Sequence, residues 1–438
     1  MGKSLASQSS KQNLQFDPVL KAVCEMSAST TITAGSDLVR RLTDTSSVDA
    51  GPVALSRLEV LLTDYLVCLA STHGSVGRKT SRLGLDGVVG LGAWLALQSS
   101  SEDRDDIDWS VGTHPGSVIW SSVFAMAKSG KEVRENFLSA ALGGYRTSAS
   151  VANFLGRSHR EKWHVTATAG AFASTSAAAL GLGLSAEEHQ RALHLVGMNM
   201  GGSARAPRER SGAAGFNRAA ATSLGLTAAM AAQEGAKAVE NLWNGPQGVL
   251  ELFSGQGNEG KTNLIQNGVS TSSLRLFPTN GYIQAAVLAV AELASRNSKR
   301  LQSMEVKVAA SIVPMIDGSR GGSWWDARSA LAAAWVSQDP SSLIPAPELE
   351  ERITVVPSQV AVGGAQVIVK TTEGRDEVDV LSPPGANFDL PEEKAWREVK
   401  WRKMAGGDLN LVKEMSQALI ENGDNPRAWD ELIAMVKV

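Results

Sequence analysis

The stretch KWHVTATAGAFASTSAAALGLG, residues 162–183, sets a tryptophan-histidine pair ahead of a run built almost entirely from Ala, Ser, Thr and Gly. Small side chains let two backbones approach closely, so the run reads as a helix packed tightly on other helices. His164 at its head has two readings. It is a proton-transfer group at the mouth of a pocket, or a histidine held with Trp163 at an aromatic core boundary, and the choice depends on what the rest of the chain brings beside it.

Outward from this stretch the helical pattern continues. PVLKAVCEM (18–26), LSRLEVLLTDYLVCLAS (55–71), GSVIWSSVFAMAKSG (116–130) and EEHQRALHLVGMNM (187–200) carry apolar residues three or four apart, which predicts helix packed on helix. Near residue 270 the character changes. LQSMEVKVAASIV (301–313), ERITVVPS (351–358) and AQVIVKTTEGRDEVDVL (365–381) are short β-branched runs of strand type, with a turn expected at GRDE. After the polar PPGANFDLPEEKAW, helical periodicity returns in LNLVKEMSQALIENG and PRAWDELIAMVKV. The expected fold is a mainly helical large domain plus a smaller α/β domain: residues 1–270 helical, 271–398 α/β, and 399–438 terminal helices returning to the helical domain.

Composition narrows the function classes. The 438 residues carry 42 Lys plus Arg against 45 Asp plus Glu, a formal charge of −3 that offers no basic field for a nucleic acid. Cys24 and Cys68 are too few for a disulfide scaffold or a cysteine-rich metal cluster. The opening MGKSLASQSSKQNLQF lacks the apolar core of a secretory signal, and no apolar run suits a bilayer span; a cytoplasmic protein with no membrane partner is expected. No HExxH pattern occurs, and the widely distributed glycines are assigned to turns and close packing, so neither a metal nor a nucleotide cofactor is expected.

Three separated segments carry candidate chemistry. In SSSEDRDDIDWSVGTHPGSVIW (99–120), Asp103, Asp105, Asp106 and Asp108 precede His114 and a helix expected to begin near Ser117. An imidazole there exchanges a proton near neutral pH, and the aspartates orient or charge it; a solvated acidic loop ahead of a helix cap is the alternative. In the 162–183 stretch, Trp163 could wall a pocket, His164 could act as acid or base, and Thr166 could supply a hydroxyl. In SARAPRERSGAAGFNRAAATSLG (203–225), Arg205, Arg208, Arg210 and Arg218 could hold carboxylates through paired hydrogen bonds, or simply form a solvated cluster. Arg275, in SLRLFPTNGY, adds a candidate anion clamp, and Trp109, Trp324 and Trp325 are candidate aromatic walls.

Taken in order, DYLVCLA (64–70), DDIDWSVGTHPG (105–116), GGYR (143–146), KWHVTATAG (162–170), FNRAAATSLG (216–225), NGPQGVLELFS (244–254) and RLFPTNGY (275–282) resemble the MmgE/PrpD family, whose members include 2-methylcitrate dehydratase, cis-aconitate decarboxylase and iminodisuccinate epimerase. The resemblance implies a large helical domain, a smaller lid-like α/β domain, a homodimer and a cofactor-independent site at the junction. It places the family's aspartate pair on Asp105 and Asp106 and its site histidines on His114 and His164, with Thr166 alongside. The chain departs from the family pattern at Ile107, where a threonine is common, near Ala214 and at Arg275, where lysines are found, and at Ala332, in place of a tyrosine.

The expected function is therefore that of a divergent, cofactor-independent lyase of dehydratase type. It would abstract a proton from a small carboxylate-bearing metabolite, with His114, His164, Asp105 and Asp106 catalytic and Trp109, Trp163, Thr166, Arg208, Arg210 and Arg275 binding substrate. An isomerase or cyclase of a less charged natural-product intermediate is the second reading, and a noncatalytic dimeric binding or structural protein the third.

Overall fold

The computed structural model describes residues 35–44, 51–71, 87–101, 103–128, 130–209, 213–254, 265, 267–297, 300–316 and 326–436. The opening stretch is the axis of the helical part. All 17 residues of the Val165–Gly181 helix are buried, with the helices Phe137–Lys162, Pro115–Ala127 and Ala213–Gln233 packed around it. Its small residues make this possible: a Cβ on Gly225 would stand 2.4 Å from Ser174 Oγ and 2.7 Å from the Thr175 amide. Hydroxyls at these contacts bond across the interface, as Ser174 does with Ser122 at 2.7 Å and Thr147 with Ser176 at 2.9 Å. The Phe137–Lys162 helix is broken at Gly156, whose φ of 78° only glycine adopts freely.

The strand runs form one four-stranded sheet, β3 (Leu301–Ala309), β4 (Ile353–Ser358), β5 (Ala365–Thr371) and β6 (Gly374–Val380), in the order β4-β3-β5-β6. β3 lies parallel to β4, with Met304 opposite Ile353, and antiparallel to β5, with Val306 opposite Val367. Alternation decides the covered face: Met304, Val306 and Val308 join Ala365, Val367 and Val369 in a core shared with the helices Gln284–Arg296 and Ala327–Ser337. The β5–β6 hairpin turns at Thr372 and Glu373, with Thr371 paired to Gly374. GRDE is thus not the turn but the start of β6.

Residues beside both expected edges, 271 and 398, pack on the helical part. Ser272–Ser273 (β2) pairs with Ile107–Asp108 (β1), and Leu274, Leu276 and Phe277 belong to the core of the helical part. At the far end, residue 398 falls within a continuous helix, Pro391–Ala405, with Pro391 in its first turn followed by Glu392 and Glu393, which favour a helix start. This helix and Leu409–Glu421 pack on Pro52–Ser71, and Trp429 of Pro426–Val436 meets Phe124 and Phe137 edge-on. Among the described residues no helix is long and apolar enough to cross a membrane.

Candidate active site

His114 and His164 hold equivalent positions: each is the N-cap of a helix, Pro115–Ala127 and Val165–Gly181, and the two helices are neighbours. The His114 amide donates to the Thr166 hydroxyl at 3.1 Å. That bond ties the two helix starts together across 52 residues of sequence. The helix beginning near Ser117 in the sequence reading begins two residues earlier, on Pro115, whose ring suits the first helical position.

Hydrogen bonding gives the rings opposite tautomers. His114 Nδ1 faces the Asp106 carbonyl at 2.8 Å; a carbonyl only accepts, so Nδ1 carries the proton and Nε2 presents a lone pair. His164 Nδ1 lies 3.1 Å from the Asn217 amide nitrogen, which also reaches the Ser203 carbonyl at 3.4 Å. The nitrogen that faces a carbonyl is the donating end of Asn217, so His164 Nδ1 accepts and its Nε2 carries the proton. Among the described residues no side chain or carbonyl takes the Nε2 of either ring. His114 keeps 15% of its side chain exposed, and His164 is buried.

Beneath the histidines lies the acid loop. The β1–β2 pairing draws Arg275 under residues 103–106, where its guanidinium contacts Asp103 at 2.8 Å and Asp105 more closely still, and its Nε donates to the Asp105 carbonyl at 2.8 Å. Arg218 approaches the same two carboxylates at 3.2 and 3.4 Å. Burial opposes ionisation of Asp103 and Asp105, but the two guanidinium groups outweigh it and hold both carboxyls below the usual range. Asp106 differs. Burial, with the charge of Asp105 beside it, pushes its carboxyl up to about 7 even though the Gly116 amide donates to both its oxygens and the Tyr145 hydroxyl to one at 3.0 Å. Gly116 is required by that contact, because a Cβ there would sit 2.8 Å from the Asp106 carboxylate.

Both imidazoles are neutral at physiological pH. Burial, reinforced by the positive charges of Arg218 and Arg275, lowers His114 to about 4; burial, Arg218 and His114 lower His164 to about 3. Asp105, with a carboxylate oxygen 4.0 Å from His114 Nδ1, works against this and would favour an imidazolium formed during a reaction.

The remaining predicted residues fall as follows. Trp109 is half-buried, edge-on to Tyr282 at 5.7 Å, with its tip over Gly281 beside Arg275. Trp163 packs on Phe253 at 4.8 Å and stacks on His159 at 6.4 Å. Arg275 is not an open clamp, since its charge is engaged by Asp103 and Asp105. Arg208 is exposed and donates to the Glu161 carbonyl at 3.0 Å. Arg210, Trp324 and Trp325 lie outside the described residues. Ile107 sits in β1 and Ala332 is buried in the core of the α/β part. Asn217, Tyr145 and Tyr282 were not singled out from the sequence, although all three stand in quoted segments. Tyr145 was signalled by GGYR; nothing local marked Asn217 as the partner of His164. No group of three or more His, Cys, Asp or Glu among the described residues is arranged to hold a metal ion.

Residues 94–260 match the MmgE/PrpD N-terminal domain. The matched stretch holds both histidines, the acid loop, Tyr145, Asn217 and Arg218, while Arg275 and the α/β part lie beyond it. No curated protein matches the chain.

Proposed function

We propose that the chain is an acid–base enzyme of the lyase class, acting on a small metabolite with an acidic carbon next to a carboxylate. The reading is carried by one observation: two neutral imidazoles at tied helix starts, one presenting a lone pair at Nε2 and the other an N–H. His114 takes the proton from carbon. The Nε2–H of neutral His164 hydrogen-bonds to the carboxylate that gathers charge as the carbon–hydrogen bond breaks, and the proton held by the His114 imidazolium is the one passed to a departing hydroxyl, which leaves as water. The imidazolium formed at His114 is held by the Asp106 carbonyl and faced by Asp105.

A base lowered to about 4 is weak by itself. An anionic substrate against the rings raises that value by its own charge, so the base gains strength when substrate is present. This favours a carboxylate-bearing substrate. The second reading, isomerisation or cyclisation of a less charged intermediate, draws support from the engagement of Arg218 and Arg275 by Asp103 and Asp105.

Proton NMR in heavy water with citrate-like, aconitate-like and imino-dicarboxylate compounds, alongside their neutral esters, tests both. Hydrogen exchange or conversion that disappears in His114→Ala and in His164→Ala is the expected result. Preference for the esters moves the assignment to the second reading. No exchange and no conversion from folded protein overturns both.

A further inference from the structure

Asp64 and Lys400, 336 residues apart, form a second buried charge pair. Lys400 stands on the Pro391–Ala405 helix with no exposed side-chain surface. It donates to both Asp64 carboxylate oxygens, at 2.6 and 2.8 Å, and to the Arg104 carbonyl at 2.8 Å. An ammonium has three hydrogens, and each has its acceptor. The Trp401 indole holds the other side of the pair, donating to Asp64 at 2.7 Å.

The third acceptor gives the pair its meaning. Arg104 lies between Asp103 and Asp105, and three consecutive carbonyls of this loop each receive one donor from a different part of the chain: Arg104 from Lys400, Asp105 from Arg275, Asp106 from His114. Asp103, at the loop's entrance, has a φ of 48°, a left-handed conformation that residues with a Cβ seldom adopt and that surrounding contacts must maintain. The charges also reach the site directly, since Asp64 is among the groups that push the Asp106 carboxyl up.

We propose that Lys400 is a positioning residue for the two-histidine site: through the Arg104 carbonyl it fixes the path of the acid loop, and with it the Asp106 carbonyl that sets the His114 tautomer. The C-terminal helices thereby become part of the catalytic apparatus without touching substrate. The inference rests on His114 acting as the base, but its test needs no turnover.

The test is nitrogen-15 NMR of the histidine rings in the full-length protein. Lys400→Met leaves the Asp64 carboxylate buried without its cation and is liable to unfold, so it is paired with a double variant, Asp64→Leu with Lys400→Met, which replaces the pair by apolar side chains. In the folded double variant His114 is expected to lose its single Nδ1–H form and populate both tautomers, while His164 and the distant His189 keep the ring signals of the unmodified protein. A folded double variant with unchanged His114 overturns the proposal. If neither variant folds, native-state hydrogen exchange of the unmodified chain decides. The amides of Asp108 and Gly116 are expected to open together with the Pro391–Ala405 helix, and loop opening under a helix that stays protected overturns it. Unchanged tautomers together with substrate exchange refute only the role of Lys400. Absence of exchange in the unmodified protein refutes the proton-transfer reading instead.

Discussion

Three buried histidines and the half-buried His114 meet the Val165–Gly181 helix, two along its length and two at its start. Along its length, His159 Nε2 bonds the Thr168 hydroxyl at 2.7 Å while its Nδ1 bonds the Phe253 carbonyl, and His189 Nε2 bonds Ser176 at 2.9 Å. At its start, His164 caps the helix and His114 is tied to Thr166. Burial lowers all four, to about 4 and 3 in the interior pair and about 4 and 3 at the helix start. A depressed pKa therefore fails to separate chemistry from architecture here. The separating feature is the ring tip: Thr168 and Ser176 occupy Nε2 in the interior pair, whereas the tips of His114 and His164 meet no partner among the described residues.

The largest expected effect breaks this comparison into opposite halves. His114→Gln or His164→Gln should slow proton transfer about 10²- to 10⁴-fold, the usual worth of a positioned acid or base, with little change in melting temperature. His159→Gln and His189→Gln should do the reverse, costing about 1–3 kcal/mol of stability through mispaired buried groups while leaving exchange intact. Exchange rates and urea midpoints measured on all four variants check this, and a similar loss of exchange in every one would end the distinction.

Next in size comes Arg275→Met. It leaves the buried Asp105 and the half-buried Asp103 with one guanidinium fewer, and breaking a buried pair costs about 3–5 kcal/mol. A substrate clamp would instead show a raised KM at unchanged stability, so urea unfolding of this one variant separates the roles.

Much of the comparison was legible in the sequence, and the missing parts have a common cause. The small-residue run 165–181 declares a close-packed helix, β-branched runs declare β3 to β6, and the HPG and WH pairs mark the two capping histidines, because each signal is local. Asp103 meeting Arg275 across 172 residues, or Asn217 fixing His164 across 53, carries no local trace. Arg208 and Arg218 illustrate the difficulty. They stand ten residues apart in one arginine-rich segment, yet one is exposed and the other is buried under the acid loop. Only the helical phase of residues 213–233, which turns Arg218 inward with Ala221 and Thr222, separates them. The helix at 391 was not read from the sequence, because its Pro-Glu-Glu start is embedded in a stretch whose polarity resembles a linker.

A smaller effect lies in the pH dependence, where the two pairs should act alike on stability and differently on rate. All four folded values lie below the unfolded value of about 6.5, so the unfolded chain binds protons first as pH falls. Their contribution to stability is complete above about 6.5 and is lost progressively as pH falls toward 4. Asp106, raised to about 7, opposes this, since its contribution is lost as pH rises through that value. Removing either interior histidine should flatten the fall in urea midpoint between pH 6.5 and 4. The rate at limiting substrate should instead fall with the protonation of His114 near 4, and its acid limb should vanish with His114→Gln. An acid limb near 6.5 would mean that the base is a solvated imidazole, not His114 at the helix start.

The smallest expected effect is that of Arg208→Ala, and its smallness is informative. The guanidinium is exposed and its bond to the Glu161 carbonyl lies on the surface, so stability should change by less than about 0.5 kcal/mol. If a substrate carboxylate is received by the helix starts and the imidazoles, KM and kcat should both stay where they are. A rise in KM alone would mean that substrate extends out to the 205–209 turn, widening the site from a two-histidine pocket to a cleft with a charged rim. In either case the interior pair would be untouched, which makes this substitution a measure of how far the chemistry at the helix start extends.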